Sequence, residues 1–340
     1  MVRIIHSPRW AEHAPPAGHP ERPERAHAMA AVVERWRARG ATVVEPRTVT
    51  RAELARVHDE AYIDRLASVS ATPTMLDADT FTSAETYDIA LLAAGAACGA
   101  VEDALGGHGP VCAVVRPPGH HAERATAMGF CVFNNVAVAA AHARALGCAR
   151  VAIVDVDVHH GNGTQWMFYG DPSVLYVSTH QFPYYPGTGA PDEIGIGAGL
   201  GFTVNLALAA GAGDADYDRV VREGVVPILA AFAPDLLLVS AGFDLHARDL
   251  LGGMRVSTPG VAGVMRHLRA AAAAGPAGDR IVVVTEGGYD LETLSACLDA
   301  TLDVLAGPAD VPAVVAGDTS RADVALSAAR RALGGRWATL

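Results

Sequence analysis

The sequence predicts an α/β fold: a mostly parallel central sheet flanked by helices, in one domain spanning 1–340. Three observations carry this. Short β-rich apolar runs alternate with longer helical patterns. Several runs are apolar at nearly every position, as parallel strands covered on both faces are. Four of them lead straight into polar, glycine-rich segments, as strands do at the ligand-binding edge of an open α/β sheet.

Strands are expected at Val111–Val115, Val151–Val154, Val174–Val177, Phe202–Leu206, Leu236–Val239 and Ile281–Val284. Helical patterns fall at about 84–104, 135–146, 216–232, 259–274 and 291–305. Thr258-Pro259 reads as an N-cap followed by proline at the first helical position. The tail 319–340 carries one amphipathic helix with Arg321, Arg330 and Arg331 exposed. The Pro/Gly-rich pieces 14–23, 183–201 and 306–318 are too short to be interdomain linkers, and no internal repeat is present.

The 340 residues include 26 basic and 37 acidic ones, a formal net charge of −11. Every basic residue is arginine; lysine is absent. The acidic balance argues against nucleic acid or an anionic membrane as partner, because both need a basic footprint. At this length folding buries about 75% of the extended chain's surface, enough for a large core without disulfides. The five cysteines, 98, 112, 131, 148 and 297, are odd in number and scattered, which suits buried thiols in a reducing compartment. With no signal-peptide pattern and no apolar run near ~18 residues, a cytoplasmic protein is expected. The composition leaves an oligomer open.

The segments beyond the four strands are Arg116-Pro-Pro-Gly-His-His121, Asp155-Val-Asp-Val-His-His-Gly-Asn162, Ser240-Ala-Gly-Phe-Asp244 and Thr285-Glu-Gly-Gly-Tyr-Asp290. In an extended segment Asp155, Asp157 and His159 share one face, because side chains alternate with a period of two. Carboxylate and imidazole at a strand end suit a divalent metal. Zinc takes such ligands at about 2.0–2.2 Å, with three protein ligands in catalytic sites. Asp244 is the natural third. Paired His120 and His121 could be ligands, an acid/base pair or surface residues; with three ligands already available, acid/base work is preferred. Tyr289, after a glycine turn, could donate to a developing oxyanion or simply pack. The remaining histidines, among them His13, His27, His108, His142 and His267, read as surface residues. Gly187-Thr-Gly189 and Gly195-x-Gly197-x-Gly199 lack a strand-to-helix context and are not nucleotide loops. A P-loop is excluded with lysine, and no Gly-x-Ser-x-Gly elbow occurs.

Taken in order, several motifs resemble the histone deacetylase family, within the arginase–deacetylase fold, over roughly 1–310. They are His19-Pro-Glu-Arg-Pro23, Arg116-Pro-Pro-Gly-His-His-Ala-Glu123, Met128-Gly-Phe-Cys-Val-Phe-Asn-Asn135, Asp155-Val-Asp-Val-His-His-Gly-Asn-Gly-Thr-Gln165, Ser240–Asp244 and Glu286-Gly-Gly-Tyr289. The likeness is to the class II branch and its bacterial amidohydrolase relatives. It implies hydrolysis of an acylated amine by one Zn²⁺ held by Asp157, His159 and Asp244. It makes His121 the general base, His120 its electrostatic or acid partner and Tyr289 the carbonyl-polarising donor. Asp155 resembles the residue that orients His120. The partner of His121 falls at Asn162, where class I relatives have aspartate. Gly129, Phe130 and Tyr185 resemble walls of the substrate tunnel, with Leu251, Gly287 and Gly288 beside them; phenylalanine is usual where Tyr185 stands. Arg22 resembles an arginine beneath the metal, near an acetate pocket. K⁺ is implied near Asp155, Asp157 and Ser178.

Acyl-lysine and N-acetylpolyamine are the rival substrates. Leucine rather than glutamate at 251, and a short 58–85 segment, favour acyl-lysine. An arginase-like ureohydrolase would need more carboxylates than Ser240–Asp244 offers. A catalytically silent acyl-group binder would not need Tyr289, both histidines and three ligands together.

Overall fold

The computed structural model describes residues 2–337. Eight parallel strands form one sheet in the order β2-β1-β3-β8-β7-β4-β5-β6. In chain order the elements are β1 (Arg3–Ile5), α1 (Pro23–Ala38), β2 (Thr42–Val44), α2 (Arg51–Leu54), α3 (Glu60–Ser68), α4 (Thr86–Leu105), β3 (Val111–Ala113) and α5 (Asn135–Ala145). There follow β4 (Val151–Asp155), α6 (Asn162–Phe168), β5 (Val174–Gln181), β6 (Thr203–Leu208), α7 (Asp214–Val220) and α8 (Val226–Phe232). The last are β7 (Leu236–Ala241), α9 (Thr258–Ala274), β8 (Ile281–Thr285), α10 (Leu291–Ala306) and α11 (Ser320–Leu333).

All six expected strands are present, and the sheet is flanked by helices as the fold class requires. β1 and β2 went unpredicted. At three residues each they are too short to show a period, and β2 is a half-buried edge strand. The alternation along β4 explains why both faces are apolar. Val151 and Ile153 enter one core with α3, α4 and α5, through Ile63, Ile89 and Val136. Ala152 and Val154 enter the other with α1, α9 and α10, through Met29, Val261 and Leu294.

Three local readings are corrected. The N-cap of α9 is Ser257, one residue earlier than expected; its hydroxyl accepts from Gly260 N at 3.2 Å. The helix expected over 216–232 contains one widened turn at Val221–Val225, just where Pro227 has no N–H to continue the ladder. His13, His142 and His267 are buried, not on the surface. Each has a polar partner that makes burial tolerable: Thr86 Oγ1 at 2.8 Å, Glu102 at 2.9 Å and Asp218 at 2.9 Å. In the tail, Arg330 and Arg331 are exposed and Arg321 is partly covered; residues 338–340 lie outside the described residues. All five cysteines are free and buried. Among the described residues no helix is long and apolar enough to cross a membrane.

The register positions the site. Asp155, the last residue of β4, pairs with Ser178 of β5 on one side and Ser240 of β7 on the other, and Ala241 pairs with Thr285. Since β3, β8, β7 and β4 are consecutive in the sheet, the four polar segments leave it side by side.

Candidate active site

Where β4 and β7 end, Asp157, His159 and Asp244 offer ligand atoms within 4.8 Å of one another. Both carboxylates are fixed to the backbone, Asp157 through both oxygens, since its Oδ1 also accepts from His159 N at 2.9 Å. Asp157 Oδ2 accepts from Gly287 N at 3.0 Å, and Asp244 Oδ1 from Val158 N at 3.0 Å. The other oxygens face His159 Nδ1, Asp157 Oδ1 at 3.1 Å and Asp244 Oδ2 at 3.2 Å. Asp244 Oδ2 is buried without a hydrogen-bond partner. Burial and the charge of Asp157 push the Asp244 carboxyl up to about 7. Two buried carboxylates and an imidazole, one oxygen unsatisfied, are a donor set that suits a divalent cation. The backbone is shaped to it: a Cβ on Gly287 would lie 2.2 Å from Asp244 Oδ2 and 2.7 Å from Asp157 Oδ2. Among the described residues Glu53, Cys98 and His142 also cluster. Arg47 already binds both oxygens of Glu53, and Arg56 donates to His142, so that group is satisfied without an ion.

His120 and His121 are both buried, with ring centroids 4.1 Å apart. His120 Nδ1 lies 3.0 Å from Asp155 Oδ2. Burial disfavours its charge, but Asp155 and Asp157 outweigh this and raise its pKa to about 10. His121 Nδ1 lies 2.8 Å from Asn162 Oδ1. Burial, then the charges of His120 and His159, push its pKa well below 6.5, while the Asn162 bond pulls weakly the other way. The amide orientation is settled by Glu123, whose carboxylate accepts from Asn162 Nδ2 at 2.8 Å. Asn162 Oδ1 therefore accepts from His121 Nδ1–H, which leaves the lone pair on Nε2.

A cavity of about 210 Å³ reaches these groups; its lining includes His121, His159, Gly129, Phe130, Tyr185, Leu251 and Tyr289. Phe130 packs edge-on to Tyr289 at 5.7 Å, and Tyr185 edge-on to His121 at 5.3 Å. Burial pushes the Tyr289 phenol well above 10, with Arg25 opposing, so it is a neutral donor. Gly287 and Gly288 form the turn before it.

The structure thus brings together every predicted site residue except Arg22. Arg22 is exposed at the head of α1. The arginine beneath the site is Arg25, one turn further in. It is fully buried, donates to the carbonyls of Gly288 and Glu286 at 2.7 Å each, pairs with Glu21, and lies 4.9 Å from the Tyr289 ring centre. Arg25 stands two residues beyond the His19–Pro23 match; Arg22 is the N-cap that precedes α1, whereas Arg25 lies in its first turn and is buried.

Four further residues went unassigned in the sequence. Asp79 and Tyr184 also line the cavity, and Tyr184 stacks on His159 at 5.6 Å. Tyr184 adjoins Tyr185, so the aromatic pair was a readable signal; Asp79 sits in an irregular loop with none. Glu286 accepts from Gly119 N, His120 N and Ser240 Oγ at 2.6, 3.2 and 3.0 Å. It sits inside the Glu-Gly-Gly-Tyr motif. Asp249 holds the Tyr289 turn through backbone bonds no pattern could announce.

The histone deacetylase domain model matches residues 19–305. Histone deacetylase 15 of Arabidopsis thaliana is 40% identical over 304 residues; the match takes in 85% of this chain and 53% of that protein, so the chain spans about half its length. A probable deacetylase of Archaeoglobus fulgidus is 39% identical over 86% of this chain and 82% of its own. The crystal structure of the HDA15 HD domain superposes with a TM-score of 0.91 at 35% identity, covering 99% of this chain and 97% of that one.

Proposed function

The chain belongs to the histone deacetylase family, and from that premise we propose that it is a zinc-dependent amidohydrolase that removes acyl groups from lysine side chains. The observation that carries this reading is convergence. The imidazoles of His121 and His159 and the phenol of Tyr289 border one cavity, and His159 joins it to the buried carboxylates of Asp157 and Asp244 behind it.

Asp157, His159 and Asp244 would hold the ion, which supplies Lewis-acid charge stabilisation and a lowered water pKa when bound. His121 accepts the proton of the attacking water at Nε2, since Nδ1–H is committed to Asn162. Tyr289 donates its hydroxyl to the carbonyl oxygen as negative charge develops there. His120, kept protonated by Asp155, stabilises that charge and gives a proton to the leaving amine. Phe130, Tyr185 and Leu251 enclose the acyl-lysine stem in apolar surface. Leu251 offers no charge to a second amine, which favours acyl-lysine over acetylpolyamine. A potassium ion beside Asp155, Asp157 and Ser178 belongs to the same reading; Ser178 faces Asp155 across the β4–β5 register.

The test is a metal-defined panel. Chelation should abolish turnover, zinc should restore it, and acetyl-lysine or longer acyl-lysine peptides should outrun acetylpolyamines. A faster rate on acetylputrescine would overturn the reading of Leu251. Zinc bound at the site with no turnover of any acyl-amine would show a silent binder instead.

A further inference from the structure

The cavity wall carrying Leu251 and the turn carrying Tyr289 meet at one carboxylate that takes no part in the chemistry above. Asp249 is 6% exposed. Its Oδ1 accepts from Leu251 N at 2.9 Å. Its Oδ2 accepts from Tyr289 N at 2.6 Å and from Asp290 N at 3.1 Å. The adjacent Arg248 turns away, to Asp290 at 3.3 Å and Glu292 at 2.8 Å. A carboxylate withdrawn from water and anchored on three backbone N–H groups is costly to build and rigid once built.

The glycine side of the turn it holds has its own anchors, Arg25 on the carbonyls of Glu286 and Gly288 and Asp157 on Gly287 N, while the N–H groups of Tyr289 and Asp290 go to Asp249. Tyr289 follows two glycines, and Gly288 has φ +118°, a conformation open mainly to glycine and easily left. Phe130 and Arg25 contact the Tyr289 ring, and Arg25 also bonds the Gly288 carbonyl of the same peptide unit, whose N–H at Tyr289 goes to Asp249. The clamp at Tyr289 N fixes where the Cα–Cβ bond starts, and with it where the hydroxyl ends. An oxyanion donor works only when it is already in place.

We propose that Asp249 is a positioning residue for the reaction: it locks the turn that presents Tyr289, and through the same carboxylate sets the Leu251 wall at a fixed distance from it. This rests on the deacetylase reading, in which Tyr289 is the oxyanion donor.

The test combines a mutant cycle with a substrate-free readout in the zinc-loaded full chain. Asp249→Ala should lower kcat on an acetyl-lysine peptide by about 10²–10³, the loss typical of one oxyanion donor. Tyr289→Phe should do the same, and the double variant should fall within about threefold of either single one, because the two act as a unit. Losses that multiply would overturn the proposal. Asp249→Asn guards against misfolding of the alanine variant. Its remaining carbonyl oxygen can still accept from Tyr289 and Asp290 while the Leu251 bond is lost. It should therefore keep most of kcat and raise KM. A kcat as low as that of Asp249→Ala, in a folded protein, would count against the proposal.

Incorporating fluorotyrosine gives eight ¹⁹F resonances, with that of Tyr289 identified by its loss in Tyr289→Phe. Asp249→Ala should shift or broaden that resonance and leave those of distant tyrosines unchanged. An unmoved Tyr289 resonance would sink the proposal. If the wild type turned over no acyl-amine, the functional reading would fail, while this spectrum would still decide whether Asp249 holds Tyr289.

Discussion

His120 and His121 are neighbours in the chain, both buried and 4.1 Å apart at the ring centres, yet the fold gives them opposite charge states. His120 faces Asp155 and is raised to about 10; His121 faces Asn162 and is pushed well below 6.5. Burial acts against charge in both. What differs is the partner, and the partner decides which imidazole can give a proton and which can take one. The pair also reinforces itself, because the charge on His120 helps keep His121 neutral.

The largest effect should come from removing the acceptor. His121→Ala should lose about 10²–10⁴ in kcat/KM on an acyl-lysine peptide, the usual worth of general-base catalysis. His120→Ala should lose less, with metal content checked in both. A larger loss at His120 would reverse the two assignments.

How much of this was legible beforehand follows from what a motif can encode. Asp157 and His159 were readable as a pair just beyond β4, although they stand in a bend and not in the extended segment expected of them, and Asp244 and Tyr289 because each follows the end of a neighbouring strand. The parallel sheet was readable from continuous apolar runs. Arg25 was not: a short match placed the arginine at 22, three residues earlier, where it caps α1 in extended backbone and is exposed. Nor was the burial of His13, His142 and His267, since a lone histidine looks alike in sequence whether or not a partner waits across the fold. Asp249 acts through backbone N–H groups, and Glu286 through two of them beside Ser240 Oγ; every residue but proline has a backbone N–H, so the sequence does not single out those targets.

A smaller effect should come from the donor's support. In Asp155→Asn, His120 loses the carboxylate that contributes most to its raised pKa. The sign is fixed: the protonated form is present below the pKa, so lowering the pKa moves the alkaline limb of activity to lower pH. Loss of such an outer partner typically costs on the order of 10–100-fold. A pH profile of kcat with an unmoved alkaline limb would show that His120 is not the group titrating there.

The smallest and most specific effect should come from making the two partners alike. Asn162→Asp places a carboxylate against His121 Nδ1, now 2.8 Å from an amide oxygen, and should raise the His121 pKa by about one to three units. The base works deprotonated, so activity should fall tenfold per pH unit below the new pKa and stay nearly unchanged well above it. Glu123 sharpens the test, since its carboxylate accepts from Asn162 Nδ2 at 2.8 Å. An aspartate at 162 would face it with like charge and could relieve the strain by taking up a proton, which would blunt the effect on His121. The full alkaline displacement of the acid limb should therefore emerge in Asn162→Asp combined with Glu123→Gln. If the acid limb of kcat/KM stayed fixed in that double variant, the amide would not be what sets His121 apart from His120, and burial together with the neighbouring positive charges would account for the difference alone.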